Sequence, residues 1–156
     1  MKLLLLNCAS AKEAWANEAE DLYKKKISAF YPFEVKRLRG SKNSRENREQ
    51  KVKVDSDNLL SELRSDDFVI LFDERGLDEG SIHFSKRLQQ VMNGGKKRII
   101  FVIGGAFGVD DRIQKRADAK IKLSSWVFNH LVAEVVVLEQ IYRALTIRQH
   151  IPYHNE

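Results

Sequence analysis

The sequence has one cysteine, two prolines and no long hydrophobic run. Because Cys8 has no second cysteine to pair with, no disulfide can form within the chain, and we expect a small core residue in a reducing, cytoplasmic setting. The run Leu3–Leu6 is cut short by Asn7, so it is far shorter than the roughly 20 residues of a membrane span. It is also too short for a signal-peptide core and predicts a buried first strand instead.

Linkers, repeats and familiar catalytic motifs are lacking too. No proline-rich or glycine-rich stretch divides the 156 residues, so we expect one domain over residues 1–156. No G-x-G-x-x-G or phosphate-binding loop is present, and no serine or cysteine nucleophile motif accompanies the four histidines. We expect no bound metal, because Pro152 separates His150 from His154 and no cysteine or acidic cluster joins them.

The apolar residues alternate between strand-type runs and helical patterns. The predicted strands are Lys2–Cys8, Phe33–Leu38, Phe68–Phe72, Arg98–Ile103 and Ala119–Leu123. The predicted helices are Ala11–Phe30, Ser44–Arg64, Ser81–Met92, Asp110–Ala117 and Leu131–Gln149. Strands that are apolar on both faces and alternate with helices indicate an α/β fold, with a parallel sheet covered by helices on both faces.

Ligands of such sheets bind beyond the carboxyl ends of the strands, which directs attention to three segments. The first is Asp73-Glu74-Arg75-Gly76, which is either a binding loop or ordinary loop solvation. The second is Gly104-Gly105-Ala106-Phe107-Gly108, where glycines allow close approach of a ligand or simply form a turn. The third, Ser124–His130, either walls an adenine-like ring or folds the last helix onto the core.

Positive charge is concentrated between Lys36 and Lys53. This segment carries a local charge of +6, against +5 for the whole chain. Its basic residues are Lys36, Arg37, Arg39, Lys42, Arg45, Arg48, Lys51 and Lys53. We interpret it as a phosphate-contacting surface, with a solvated helix face as the alternative.

The last helix is apolar around most of its circumference, more than one core-facing stripe requires. Its apolar residues are Leu131, Val132, Val135, Val136, Val137, Leu138, Ile141, Leu145 and Ile147. We therefore expect a second buried surface, as in a homodimer. Tyr153 and His154 follow Pro152 and have little packing to do unless something holds the tail.

Taken together, several of these pieces resemble the ribosomal RNA large subunit methyltransferase H family of the SPOUT class. They are Met1-Lys2-Leu3, Phe72-Asp73-Glu74-Arg75-Gly76, Ile103-Gly104-Gly105 with Gly108, Leu123-Ser124, His130, Glu139-Gln140, Tyr142-Arg143-Ala144 and Pro152-Tyr153-His154. The resemblance covers the whole chain in matching order. Three positions depart from the family pattern, namely Ala106, Asn129 and Glu134, the last where an arginine is common.

The resemblance implies a C-terminal trefoil knot and S-adenosylmethionine held by three knot loops. The implied cofactor-binding residues are Phe72, Asp73, Gly104, Gly105, Gly108, Ser124, Ser125, Trp126, Val127, Phe128 and Asn129. It implies methylation of N3 of a pseudouridine in 23S rRNA within the ribosome, with His154, Tyr153, His130 and Arg143 as candidates to position the base or move its proton. A SPOUT methyltransferase acting on tRNA and a non-catalytic rRNA-binding module remain the alternatives.

Overall fold

A computed structural model of the chain describes residues 1–9, 13–40, 45 and 47–155. Within these residues, strands and helices alternate as the apolar pattern predicts. The elements are β1 (Lys2–Asn7), α1 (Ala14–Ser28), β2 (Phe33–Arg37), α2 (Arg48–Glu62), β3 (Phe68–Asp78), α3 (Ser81–Asn93), β4 (Arg98–Ile103), α4 (Asp111–Arg116), β5 (Ala119–Lys122) and α5 (His130–Arg148). The predicted starts of two helices, Ala11 and Ser44, lie outside the described residues.

The five strands form one parallel sheet in the order β2-β1-β4-β3-β5. In the central strand β1, Leu5 lies opposite Val35 on one side and Phe101 on the other. Such central strands are buried on both faces, which explains their unbroken apolar runs. The expected α/β class with a parallel sheet is confirmed, while the trefoil knot stays a prediction.

Helices cover both faces of the sheet. Because successive strand residues point to opposite faces, Leu3 and Leu5 pack into the core beneath α1, α3 and α5. Leu4 and Leu6 pack on the other face, against Leu59 of α2 and Ile113 of α4. The carboxyl ends of the strands are left open between these two layers.

Strand β3 is longer than the sequence predicts. Pairing with β5 stops at Phe72, opposite Ile121, and resumes at Leu77 after a shift in register, so residues 73–76 bulge from the ladder. Gly76 passes so close to the backbone of Ile121 that an added Cβ would collide with it. The sequence does not predict this extension, because charged residues follow Phe72 and the second stretch of pairing, Leu77-Asp78, is not an apolar run.

Side-chain caps fix the starts of two helices near the open edge of the sheet. Asn47 and Gln50 form a reciprocal capping box that begins α2 at Arg48. The side chain of Asn129 accepts a hydrogen bond from the backbone of Leu131 at 2.9 Å and begins α5 at His130. Of the described helices, none is both long and apolar enough to cross a membrane.

Candidate active site

The bulge of β3 and the segments after β4 and β5 meet around a cleft at the carboxyl edge of the sheet. The cleft has two adjoining chambers of about 550 and 770 Å³, which share the walls Phe72–Arg75, Ile103, Phe128 and Ala133. The smaller chamber is closed by residues 122–127, and the larger by residues 104–109 together with Arg48 and His130. Chambers of this volume, with apolar walls and a few polar groups, suit a nucleoside-sized ligand.

Ten of the eleven residues expected to hold a cofactor line this cleft. They are Phe72, Asp73, Gly104, Gly105, Gly108, Ser124, Ser125, Trp126, Val127 and Phe128. Asn129 is the exception, because its side chain is used as the cap of α5. The rule that parallel strands end at the same edge predicted that the three segments would be neighbours, while the family resemblance supplied the individual residues.

Asp73 is one of two acidic residues that line the cleft, together with Glu74. Its carboxylate accepts hydrogen bonds from the backbone and side chain of Arg75, at 2.9 and 3.0 Å, and from the amide of Gln114 at 2.8 Å. Burial raises the pKa of Asp73, but these hydrogen bonds outweigh burial and lower it below the usual range. The cleft therefore presents a fixed negative charge to a bound molecule.

The glycine segment is a tight turn held by its own backbone. The N–H of Gly108 donates to the carbonyl of Gly105 at 3.0 Å, and Gly108 has a φ of +79°, which side chains rarely adopt. At Gly105, a Cβ would collide with the carboxylate of Asp55 on α2 rather than point into the cleft. The expectation that this glycine makes room for a ligand is thus corrected, because its open side faces α2.

The segment after β5 forms an exposed apolar lip of the cleft. The hydroxyl of Ser124 accepts a hydrogen bond from the backbone of Trp126 at 3.0 Å, which folds the chain back. Trp126 and Val127 are 82% and 95% exposed. Together these two side chains form a small exposed apolar patch beside the smaller chamber.

The basic segment divides into residues at the cleft and residues already paired. Arg48 lines the larger chamber, with its guanidinium 5.4 Å from the ring centre of Phe107. Arg39 and Arg45 are exposed, whereas Lys36 pairs with Glu62 at 2.6 Å. Lys42 lies outside the described residues.

Arg37 has a different place from the one expected of an RNA contact. Its side chain is 15% exposed and bridges Glu20, at 2.8 Å, and Glu134, at 3.3 Å. A guanidinium held by two carboxylates inside the protein is not available to a phosphate. The alternating pattern of β2 does not predict that the Arg37 side chain turns inward, because its two carboxylate partners lie on other elements, Glu20 on α1 and Glu134 on α5.

A buried polar network surrounds Glu134 beside the cleft. Asn7, at the carboxyl end of β1, donates a hydrogen bond from its amide to Glu134 and contacts Nε2 of His130 with its carbonyl oxygen. Burial lowers the pKa of His130, and the nearby Arg37 lowers it further. Burial raises the pKa of Glu134 to about 7, with Glu20 adding to the rise and Arg37 opposing it. Sequence reasoning missed Asn7, although a polar residue ending a buried strand at this edge was the available signal.

The tail folds back onto α5 instead of lying free. Tyr153 donates to Glu139 at 3.1 Å, and its ring packs 4.8 Å from that of Tyr142. Arg143 binds Glu139 at 2.6 Å and reaches Nδ1 of His154 at 3.1 Å. Because arginine can only donate, Nδ1 of His154 is the accepting nitrogen.

The tail and its partner Arg143 do not line this chain's own cleft. Arg143 lies 13 residues beyond His130 on α5, which at about 1.5 Å per residue is roughly 20 Å. The tail therefore does not lie in this chain's own cleft.

Comparisons with known proteins agree with this architecture. A family model described as "Predicted SPOUT methyltransferase" matches residues 1–154. Ribosomal RNA large subunit methyltransferase H of Bdellovibrio bacteriovorus is 52% identical over 155 residues, covering 99% of both chains. The protein of that name from Parabacteroides distasonis is 34% identical over 157 residues, covering 100% of both.

One solved structure supports the fold alone. The crystal structure of tRNA (m1G37) methyltransferase from Aquifex aeolicus matches with a TM-score of 0.51 at 15% sequence identity, covering 92% of this chain and 69% of that one. Full-length identity to named relatives and the family model lead to one assignment. The chain belongs to the ribosomal RNA large subunit methyltransferase H family of SPOUT methyltransferases.

Proposed function

We propose that this enzyme transfers a methyl group from S-adenosylmethionine to N3 of a pseudouridine in 23S rRNA, acting on assembled ribosomes in the bacterial cytoplasm. The observation that carries the proposal is a single cleft lined by three segments, which are residues 72–75, 104–108 and 122–128. The names of the relatives support the rRNA substrate. The tRNA enzyme shares only the fold with this chain, so it gives no support to a tRNA substrate.

The residues of the cleft fit the proposed cofactor. Phe72, Ile103 and Phe128 provide apolar walls for an adenine ring, and Asp73 provides an acceptor for hydroxyl or ammonium groups. The backbone of residues 104–108 and 124–127 would hold the remaining polar groups. When bound, S-adenosylmethionine supplies an electrophilic methyl group.

The protein's own contribution is alignment and removal of a proton. As the N3–C bond forms and the C–S bond breaks, the N3–H proton must pass to a base, and S-adenosylhomocysteine leaves as the thioether product. His130 is the candidate already at the cleft. Tyr153, His154 and Arg143 become candidates when the cleft belongs to the partner subunit of a homodimer.

The surface around the cleft supports a homodimer. Val132 is 40% exposed, Val135 and Val136 are only half-buried, and Trp126 and Val127 extend the same apolar surface beside the start of α5. Val132 and Val136 share one helix stripe with Glu139 and Arg143, the residues that hold the tail. An interface over this stripe would set the tail against the partner subunit.

RNA contact is assigned to the exposed part of the basic segment. Arg48 lines the larger chamber, and Arg39 and Arg45 are exposed. Lys36 forms an ion pair with Glu62, and Arg37 forms one with Glu20. The ring of Phe107, 45% exposed beneath Arg48, adds a face on which a base can stack.

Two measurements test this function. Calorimetry should detect one S-adenosylmethionine site per chain, whereas a non-catalytic rRNA-binding module would give no heat. Nucleoside mapping of 23S rRNA and tRNA, from cells with and without the gene, should show N3-methylpseudouridine lost from 23S rRNA alone. A loss confined to tRNA, or no loss in either RNA, would reject the proposed substrate.

A further inference from the structure

In the buried network beside the cleft, each hydrogen bond among His130, Asn7 and Glu134 has a defined donor and acceptor. Asn7 is fully buried at the end of β1, between Glu134 and His130, which are one helical turn apart on α5. Above its pKa of about 7, Glu134 is ionised and only accepts hydrogen bonds, so the amide nitrogen of Asn7 faces Glu134. The carbonyl oxygen of Asn7 then faces Nε2 of His130 and can only accept.

This direction determines the tautomer of His130. Nε2 must carry the ring hydrogen in order to donate to Asn7, so Nδ1 carries the lone pair. Among the described residues, Nδ1 of His130 has no hydrogen-bond partner, and His130 is one of the residues that line the larger chamber. Burial and Arg37 both lower the pKa of His130, which keeps the ring neutral.

We propose that Asn7 and Glu134 are positioning residues that hold His130 as the Nε2–H tautomer, with Nδ1 accepting a hydrogen bond from the molecule bound in the cleft. This inference rests on the proposed function in so far as it takes the cleft as the ligand site. The group recognised is a hydrogen-bond donor, either an amino or hydroxyl group of S-adenosylmethionine or the N3–H of the target base.

Arg37 makes a sharp test possible. Its guanidinium donates to Oε1 of Glu134, and Asn7 donates to Oε2. In Glu134→Gln, Arg37 would retain the amide oxygen, which leaves the amide nitrogen facing Asn7. Asn7 would then turn over and donate to Nε2 of His130, so the ring hydrogen would move to Nδ1.

The tautomer is read directly by long-range ¹H–¹⁵N spectra of protein labelled at histidine, with His130 assigned by its loss in His130→Gln. The spectra are taken at about pH 8.5, where Glu134 is ionised. Wild type should show a pyrrole-type Nε2 and a pyridine-type Nδ1, and Glu134→Gln should show the reverse. The control Glu79→Gln removes a carboxylate that pairs with Arg87 away from the cleft, and should leave the His130 signals unchanged.

Measurements of S-adenosylmethionine affinity and of turnover identify which molecule carries the hydrogen-bond donor that Nδ1 of His130 recognises. If it belongs to S-adenosylmethionine, Glu134→Gln should weaken the affinity for S-adenosylmethionine about tenfold, as expected for one lost hydrogen bond inside a site. If it belongs to the target base, the affinity should be unchanged and turnover should fall by a similar factor. An unchanged affinity together with unchanged turnover would overturn the proposal.

The wild-type spectrum tests the proposal even if Glu134→Gln does not fold. An Nδ1–H tautomer or a charged ring in wild type would overturn it, without reference to any ligand. Failure of the proposed function would instead appear as absence of S-adenosylmethionine binding with the Nε2–H tautomer intact, so the two failures are distinguishable.

Discussion

At the scale of single residues, the glycine turn and α2 depend on each other. Gly105 has its open side against the carboxylate of Asp55, and Gly40 faces the other oxygen of the same carboxylate at 2.8 Å from an added Cβ. Burial raises the pKa of Asp55. The turn can therefore lie this close to α2 only because Gly105 and Gly40 have no side chains.

The collision at Gly105 predicts a suppressor. Gly105→Ala should push the turn into the cleft and weaken S-adenosylmethionine binding at least about tenfold, measured by calorimetry. Adding Asp55→Ala removes the colliding carboxylate and should restore most of the affinity, while Asp55→Ala alone is the control. A double variant that binds no better than Gly105→Ala would show that contact with Asp55 is not the cause.

The buried Glu134 predicts a pH dependence of stability. Its pKa is raised from 4.5 in the unfolded chain to about 7 in the folded protein, so the folded state binds the proton more tightly. The stabilising contribution is complete below the unfolded pKa and is lost as pH rises through the folded pKa. As pH rises from about 5 to about 8, the free energy of unfolding of the wild type should fall by up to about 3 kcal/mol relative to that of Glu134→Gln. Denaturant unfolding at each pH measures this difference. Parallel pH profiles of the two proteins would contradict this.

At the scale of elements, α2 joins the cleft to the basic surface. Its capping box places Arg48 at the larger chamber, and its buried Ser56 and Leu59 anchor it to the sheet. The opposite side of α2 is exposed to solvent. Arg48, in the first turn of α2, therefore lines the cleft and also carries a charge available to phosphate.

Charge reversal at the start of α2 separates RNA binding from cofactor binding. Arg45→Glu with Arg48→Glu should weaken ribosome binding and reduce the slope of log K against log salt by about 0.7–0.9 per lost phosphate contact. Affinity for S-adenosylmethionine should remain in Arg45→Glu alone, because Arg48 lines the larger chamber and its charge reversal changes the cleft itself. Lys96→Glu with Lys97→Glu makes the same change at the opposite edge of the sheet, next to the start of β1, and should have little effect. Unaltered methylation by the α2 variant would identify the basic residues as a solvated face.

The tail is the second element with a separable role. Removing residues 152–156 should leave folding, dimerisation and cofactor binding intact, yet lower turnover at least about 100-fold if Tyr153 and His154 position the base or its proton. Removing only residues 155–156 is the matched control, because it leaves both side chains and their contacts with Glu139 and Arg143. Turnover near the wild-type rate in the longer deletion would reject this role.

At the scale of the whole molecule, one cleft and one tail lie at opposite ends of α5. The roughly 20 Å between His130 and Arg143 means that a single chain cannot bring them together without unfolding part of the helix. In the proposed homodimer, a second copy would pack over Val132, Val135 and Val136, which lie between the two ends.

Association is therefore predicted to build the complete site. Sedimentation at micromolar concentration should give about twice the 18.0 kDa chain mass. Val132→Glu with Val136→Glu should yield a folded monomer, since a charge on each valine opposes burial. That monomer should retain S-adenosylmethionine binding but lose turnover. A wild-type monomer, or an active monomeric variant, would refute the shared site.

Sequence patterns predict the alternation of strands and helices, the open edge of the sheet and the three segments that line the cleft. These follow from local periodicity and from the rule that parallel strands end together. Tertiary structure decided which polar groups meet. Asn7 and Glu134 are 127 residues apart in sequence and Arg37 and Glu134 are 97 apart, and they touch only because β1 and β2 are neighbours beneath α5. Strand order is a property of the packed core, so the buried network and the inward turn of Arg37 could not be read from spacing along the chain.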